Sequence, residues 1–304
     1  MIKAALADAD TPLGGEILRL LIHHPDVDIA GLVTPLHKGE DVTSLHHGFI
    51  GETPLRFCSE MPKKANAIFY CGDTGPDEQM HARAAAGEVK IFGPRRNTYL
   101  NHNSTPAVPA ISEIFRKPLV RGASECRILG PLETALMIAL FPLARNLMLS
   151  APVEVEAEVS EEVHKDVDVK RANEVAQTLL HGIQQSFTHT VNFKLKNTAS
   201  RGRGIRLRTR LHLAMPVNDV KALYDEVYDD HNFTFLSFRS LSTREVEGTN
   251  KCLISLLPAG NTELDVEVIT DARMRGWAGE AVLAMNLMFG LYEKTGLQLK
   301  ALNY

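Results

Sequence analysis

The strongest constraint on the fold is a change in strand chemistry partway along the chain. IKAALA (2–7), IAGLV (29–33) and AIFYC (67–71) are continuous apolar runs, with helical stretches such as GGEILRLLIHH and DEQMHARAAA between or after them. A strand that is apolar at every position is buried on both faces, and the intervening helices cover those faces. This pattern predicts a parallel, doubly wound α/β sheet. VEVEAEV, VNFKLK, IRLRTRLHL and LDVEV alternate instead. Within 205–213, Ile205, Leu207, Leu211 and Leu213 oppose Arg206, Arg208, Arg210 and His212. Alternation of that length buries one face only and predicts a second, largely antiparallel sheet in an α+β domain.

The length of 304 residues accommodates about two such domains. A net charge of −4 argues against nucleic acid or an acidic membrane surface as the main partner. No apolar run reaches the ~18 residues needed to span a bilayer. MIKAALADAD has no basic region before an apolar core, so no signal peptide is expected and the location expected is cytoplasmic. Cys58, Cys71, Cys126 and Cys252 have no CxxC spacing, which fits reduced thiols. The adjacent pairs His23-His24 and His46-His47 point apart and make poor metal ligands, so no metal is expected.

Two amphipathic helices flank the second sheet, at DVKRANEVAQTLLHGI and VNDVKALYDEVYDD. The latter starts at Val217 or Asn218 and carries Val220, Leu223 and Val227 on one side. The last helix, GWAGEAVLAMNLMFGLYEKTG, has an apolar stripe of Ala278, Val282, Met285 and Phe289. Gly276, Gly279, Ala281 and Ala284 permit close backbone approach there, so the helix is expected to be docked and not solvated. Between these parts lies ILGPLETALMIALFPLA (128–144), a strand that turns at Gly130-Pro131 and continues as an apolar helix. Many enzymes place a nucleophile at such a turn, but Pro131 has no reactive group and no N–H.

These residues carry a family resemblance over most of the chain. GGEILRLLIHHPDVDIAGLVT (14–34), HHGFIGETPLRF (46–57), ALMIALFPLARNLML (135–149), GTNKCLI (248–254) and MRGWAGEAVLAMNLMFGLYEKTGL (274–297) resemble segments of N-acetyl-gamma-glutamyl-phosphate reductase, a relative of aspartate-semialdehyde dehydrogenase. The resemblance implies a Rossmann-type nucleotide-binding domain over 1–130, joined by a C-terminal segment 276–304, and an α+β domain over 131–275 that forms a homo-oligomer. It also implies reduction of an acyl phosphate by NADPH in arginine biosynthesis. The family's route is a thioester on a cysteine, assisted by a histidine.

Position by position the catalytic parts are absent. The family's turn runs glycine, cysteine, an aromatic residue, any residue, threonine; here it is Gly130-Pro131-Leu132-Glu133-Thr134. Proline suits the first turn of a helix, so the turn is kept as structure and lost as chemistry. The histidine should precede Arg203-Gly204-Ile205 by six positions, where Asn197 stands, and no histidine lies between His189 and His212. Asparagine cannot shuttle a proton at neutral pH. The stretch 160–176 is far shorter than the family's, which carries a substrate-binding loop there. Cys126 and Cys71 lie in or at the end of apolar strands and read as buried structural thiols.

The resemblance places the cofactor beside Ala9, Thr11, Leu13, Gly14, Thr34 and Asn286. The family's first turn has glycines at positions matching Asp8, Thr11 and Gly14, and only the last remains. The missing two let the backbone turn sharply and approach a pyrophosphate. Asp8 and Asp10 bring negative charge to a helix N-terminus that should receive an anion. Thr34-Pro35 replaces the family's Ser-Arg for the 2′-phosphate, with His37 and Lys38 as nearby basic residues. NADP is therefore the cofactor implied by resemblance, with binding expected to be weak or absent. The basic run Arg201, Arg203, Arg206, Arg208 and Arg210 reads as an anion site or as a solvated or oligomer-facing side balanced by acids. Three functional readings follow. They are a non-catalytic member that regulates or assembles with an active paralogue or binds a metabolite, an active NAD(P)-dependent reductase working by another route, and a different enzyme in a remodelled cleft.

Overall fold

The computed structural model describes residues 1–72, 74–93, 107–199, 202–213, 215–237 and 239–301. The chain divides into two compact units, Met1–Leu129 with Ala278–Gln298, and Gly130–Trp277 with Leu299–Tyr304. The first contains a seven-stranded sheet of β1 (Ile2–Ala7), β2 (Val27–Val33), β3 (Phe57–Cys58), β4 (Ala67–Tyr70), β5 (Lys90–Gly93), β6 (Val108–Pro109) and β7 (Glu125–Arg127). Their order is β3-β2-β1-β4-β5-β7-β6, and every ladder between them is parallel. Ala4, Ala5 and Leu6 of β1 and all four residues of β4 are buried, as continuous apolar strands require.

Three helices of this unit precede its last strand: α1 (Pro12–Leu21), α2 (Glu78–Ala85) and α3 (Ser112–Val120). Thr11 and Asp77 cap the first two by accepting from the Gly14 and Met80 amides. The C-terminal segment begins as a π-helical turn, Met274–Ala278, and continues as α8 (Gly279–Met288). Every residue of α8 is buried, so the expected docked helix is present. It is shorter than its apolar sequence suggests, and Phe289 terminates it in a turn.

The second unit opens with α4 (Pro131–Arg145). Its sheet contains β8 (Val153–Ser160), β9 (Val191–Thr198), β10 (Gly204–His212), β11 (Thr234–Ser237), β12 (Cys252–Pro258) and β13 (Glu263–Asp271). The order is β11-β12-β13-β10-β8-β9. Three ladders are antiparallel, whereas β8–β9 and β11–β12 are parallel, so the sheet is mixed. Alternating hydropathy reports that one face is solvated; it carries no information on strand direction.

α5 (Glu161–His164), α6 (Val169–Ile183) and α7 (Val217–Tyr228) complete the unit. The buried side of α7 differs from the expected stripe. Val217, Val220, Tyr224 and Tyr228 are buried, while Leu223 and Val227 are only half-buried. The rotation has a cause in α4. Pro142 lies inside α4 and lacks the N–H that would bond the Ile138 carbonyl one turn earlier. The Tyr228 hydroxyl donates to that carbonyl, and the Tyr224 hydroxyl donates to the Ala139 carbonyl at 2.6 Å. Two tyrosines four residues apart thus turn inward to serve a helix interrupted by proline.

Candidate functional site

At the strand-to-helix turn, Gly130 is the extended N-cap of α4 and Pro131 its first residue. Thr134 donates its amide to the Gly130 carbonyl at 3.1 Å, an ordinary first helical bond. Pro131 is buried against backbone: a Cβ on Gly276 would lie 2.3 Å from the Pro131 Cα. Pro131 itself presents no thiol, hydroxyl or amine. Asn197 lies on the edge strand β9, exposed and paired in register with Val159. The shortened stretch after β8 folds as the single turn α5 and the start of α6, and its acids Glu162 and Asp166 pair with Arg273 at 2.8 and 3.2 Å. Cys71 and Cys126 are buried, and burial pushes both thiols well above the usual thiol range. Neither is a thiolate nucleophile at neutral pH.

The β1–α1 turn keeps a glycine-like backbone at Asp8, whereas Thr11 is extended. Asp8 sits in the left-handed region at φ +52°, a conformation aspartate tolerates better than most residues. Its carboxylate turns toward the segment after β4, where Oδ2 accepts from the Thr74 amide at 3.0 Å and its hydroxyl at 2.5 Å. The Thr11 hydroxyl accepts the Gly14 N–H at 3.1 Å and lies 2.9 Å from the Asp8 and Cys71 carbonyl oxygens. Gly14 must be glycine, because a Cβ would stand 2.6 Å from the Ala9 carbonyl oxygen. Ala9 and Leu13 are buried beside it. Ala9's carbonyl accepts from His46 Nε2 at 2.7 Å, which fixes the proton on that nitrogen.

The other cofactor positions are inward-facing. Thr34 is buried, with its amide bonded to the Cys58 carbonyl at 2.9 Å. His37, two residues past Pro35, bonds Glu40 at 3.2 Å and lies 3.9 Å from Asp10. Asn286 is fully buried; its amide donates to the Glu293 and Thr295 carbonyls at 3.2 and 2.8 Å, and its Oδ1 lies 3.1 Å from His24 Nε2. The Asp26 amide donates to His24 Nδ1 at 3.2 Å, so Nε2 carries the hydrogen and Asn286 accepts it. Both amide hydrogens of Asn286 are committed to the chain. These residues do not fit a dinucleotide pyrophosphate. The first helical residue lacks an N–H, the Gly14 amide is capped by Thr11, and the Asp8 carboxylate takes up the Thr74 amide and hydroxyl.

On β10, the arginines are matched by acids on neighbouring strands. Arg203 pairs with Asp271 at 2.9 Å, Arg208 with Glu267 at 2.7 Å and Glu158 at 3.3 Å, and Arg210 with Asp265 at 2.6 Å. Arg206 lies 3.8 Å from both Glu158 and Glu267. Arg201 lies outside the described residues. The row is a balanced ladder: Arg206, Arg208 and Arg210 each face a carboxylate across the register, and Arg203 reaches Asp271 from just before the strand. Among the described residues, no three His, Cys, Asp or Glu side chains are grouped to hold a metal, and no helix is long and apolar enough to cross a membrane.

Sequence reading overlooked Thr74 and Gly72, weighed His46 only as a metal ligand, and marked Gly276 for close backbone approach without naming Pro131 as what it meets. Each acts from a segment distant in sequence, so only the placement of β4 beside β1 and of Gly276 beside Pro131 reveals it.

No family model matches the chain. It is 31% identical to N-acetyl-gamma-glutamyl-phosphate reductase of Christiangramia forsetii and 28% identical to that of Parabacteroides distasonis, in each case over 99% of both chains. Among solved structures it resembles aspartate semialdehyde dehydrogenase II of Vibrio cholerae complexed with ASA, at a TM-score of 0.70 and 13% identity over 96% of this chain and 99% of that one. It also resembles the Candida albicans aspartate semialdehyde dehydrogenase with NADP, at 0.69 and 14% over 95% and 99%. The second likeness is one of fold alone, whereas the first runs through the sequence from end to end: this chain belongs to the N-acetyl-gamma-glutamyl-phosphate reductase family.

Proposed function

We propose that this protein is a non-catalytic member of its family. It acts by association, as an assembly or regulatory partner of a catalytically complete relative or as a binder of a small metabolite. The observation that carries this reading is Pro131, the first residue of α4, buried against the Gly276 backbone where the family's nucleophile stands. Reduction of an acyl phosphate through a covalent thioester needs a nucleophile and a proton shuttle for the acyl transfer and a hydride donor for the reduction that follows. Pro131 and Asn197 supply neither of the first two, and the β1–α1 turn disfavours the nucleotide that brings the third. The Candida albicans aspartate semialdehyde dehydrogenase of the same fold is seen with NADP; here NADP is proposed to bind weakly.

A second reading keeps an NAD(P)-dependent reductase with a remodelled site. Its support is identity of 31% spread over the full length of a reductase. The two readings separate on one experiment. The purified protein is given NADPH and N-acetyl-gamma-glutamyl phosphate, alone and mixed with an active reductase of the family. The first reading expects no oxidation above the protein-free rate, together with a mixed oligomer or a change in the active enzyme's rate. Turnover by this protein alone near ~10 s⁻¹, an ordinary enzyme rate, overturns it.

A further inference from the structure

In an open α/β sheet a ligand enters the crevice outside the carboxyl ends of the strands where the strand order reverses. In this sheet that point lies between β1 and β4. Here the chain bridges it with its own groups. From the β1 side, Asp8 Oδ2 accepts two hydrogen bonds from Thr74, beyond β4. The Thr11 hydroxyl lies 2.9 Å from the Cys71 carbonyl oxygen at the end of β4. The same Asp8 carboxylate covers the backbone of Gly72, where a Cβ would meet Oδ2 at 2.6 Å.

We propose that Asp8 and Thr74 form a clasp that closes this crevice to a dinucleotide, the carboxylate taking the place and the donors that a phosphate oxygen would use. This deepens the reading of the protein as non-catalytic and rests on it. A backbone amide and a hydroxyl directed at one anionic oxygen are the contacts by which such crevices hold phosphate, and charge-assisted bonds of this kind are the strong ones. A nucleotide has to displace the carboxylate and approach it against like charge. The left-handed backbone of Asp8 aims its side chain across to Thr74. The contact is therefore an autoinhibitory strap set by one residue on each side.

The strap can be broken from either side. Asp8→Gly removes the carboxylate and suits the left-handed backbone. Gly72→Ala keeps the Asp8 residue but puts a Cβ 2.6 Å from its Oδ2 and 2.7 Å from its Cβ, so the whole Asp8 side chain has to give way. Titration calorimetry of the full chain with NADPH should give millimolar or weaker affinity for the unmodified protein. Each variant should bind at least about tenfold more tightly, a change of ~1.4 kcal/mol. Asp8→Asn, which keeps an acceptor for Thr74 without the charge, should gain less than Asp8→Gly. Folded variants with affinity within about twofold of the parent overturn the clasp, as does micromolar binding by the parent. Should a variant fail to fold, hydrogen exchange of the unmodified protein decides: a protected Thr74 amide supports the clasp and an unprotected one overturns it. Reductase turnover by the unmodified protein would overturn the non-catalytic reading, whereas binding by the variants reports on the clasp even when every variant is inactive.

Discussion

Replacing Tyr228 with phenylalanine removes a single oxygen atom, yet the consequence falls on a helix elsewhere in the sequence. The hydroxyl serves the Ile138 carbonyl, which Pro142 leaves without its helical donor. Tyr228 is 3% exposed and Ile138 is fully buried, so water has little access to the abandoned oxygen. Leaving a buried carbonyl unsatisfied costs ~1–3 kcal/mol, above the ~1 kcal/mol net value of an ordinary hydrogen bond. The decisive comparison is with Pro142→Ala, which restores an amide at the position that should bond Ile138. The carbonyl then has a helical donor and Tyr228 becomes an extra one. Tyr228→Phe should therefore cost about 1 kcal/mol less in the Pro142→Ala background than in the parent. Urea unfolding of the four proteins of this cycle, followed by far-UV circular dichroism, measures the coupling. Equal costs in the two backgrounds would falsify the account of why α7 turns its tyrosines inward.

Four further outcomes are expected. Pro131→Cys alone should not create reductase activity, because Asn197, the residue proposed to replace the proton shuttle, is an exposed amide on an edge strand; nucleotide oxidation with N-acetyl-gamma-glutamyl phosphate checks this, and measurable turnover would refute it. Gly276→Ala forces a Cβ to within 2.3 Å of the Pro131 Cα, a backbone atom that cannot swing aside, so a loss of ~1–3 kcal/mol is expected in denaturant unfolding. Asn286→Ala should release the turn after α8 through the Glu293 and Thr295 carbonyls, seen as faster hydrogen exchange over 290–297, with little change in NADPH affinity. Burial holds the His24 imidazole below its ordinary value of 6.5, opposed by Asn286 and Asp26. The unfolded chain then takes up the proton first, so this contribution to stability is whole above pH 6.5 and declines as pH falls toward the folded value. Thermal midpoints on either side of pH 6.5 should show a steeper acid decline for the parent than for the non-titrating His24→Gln.

Much of the architecture was legible because burial writes itself into side-chain chemistry. The apolar runs in β1 and β4 announced strands covered on both faces, whereas the equally apolar β2 is only half-buried at most positions; the alternation in β8, β9 and β10 announced a sheet covered on one. That Pro131 itself offers no nucleophile was legible too, since no neighbour can give proline a reactive group. Direction and partnership were not. β9 runs parallel to β8 although both alternate, because hydropathy period depends on which face meets water and not on which strand lies alongside. The inward face of α7 escaped for a related reason: tyrosine is amphipathic, and only an orphaned carbonyl on α4 decides that its hydroxyl belongs inside. Asp8 makes the same point at the candidate site. Sequence alone counts a negative charge beside a helix start, whereas the strand order that brings Thr74 and Gly72 to it turns that charge into a bridge. Hydrogen bonds between residues 66 apart in the chain are set by tertiary placement. No local pattern encodes them.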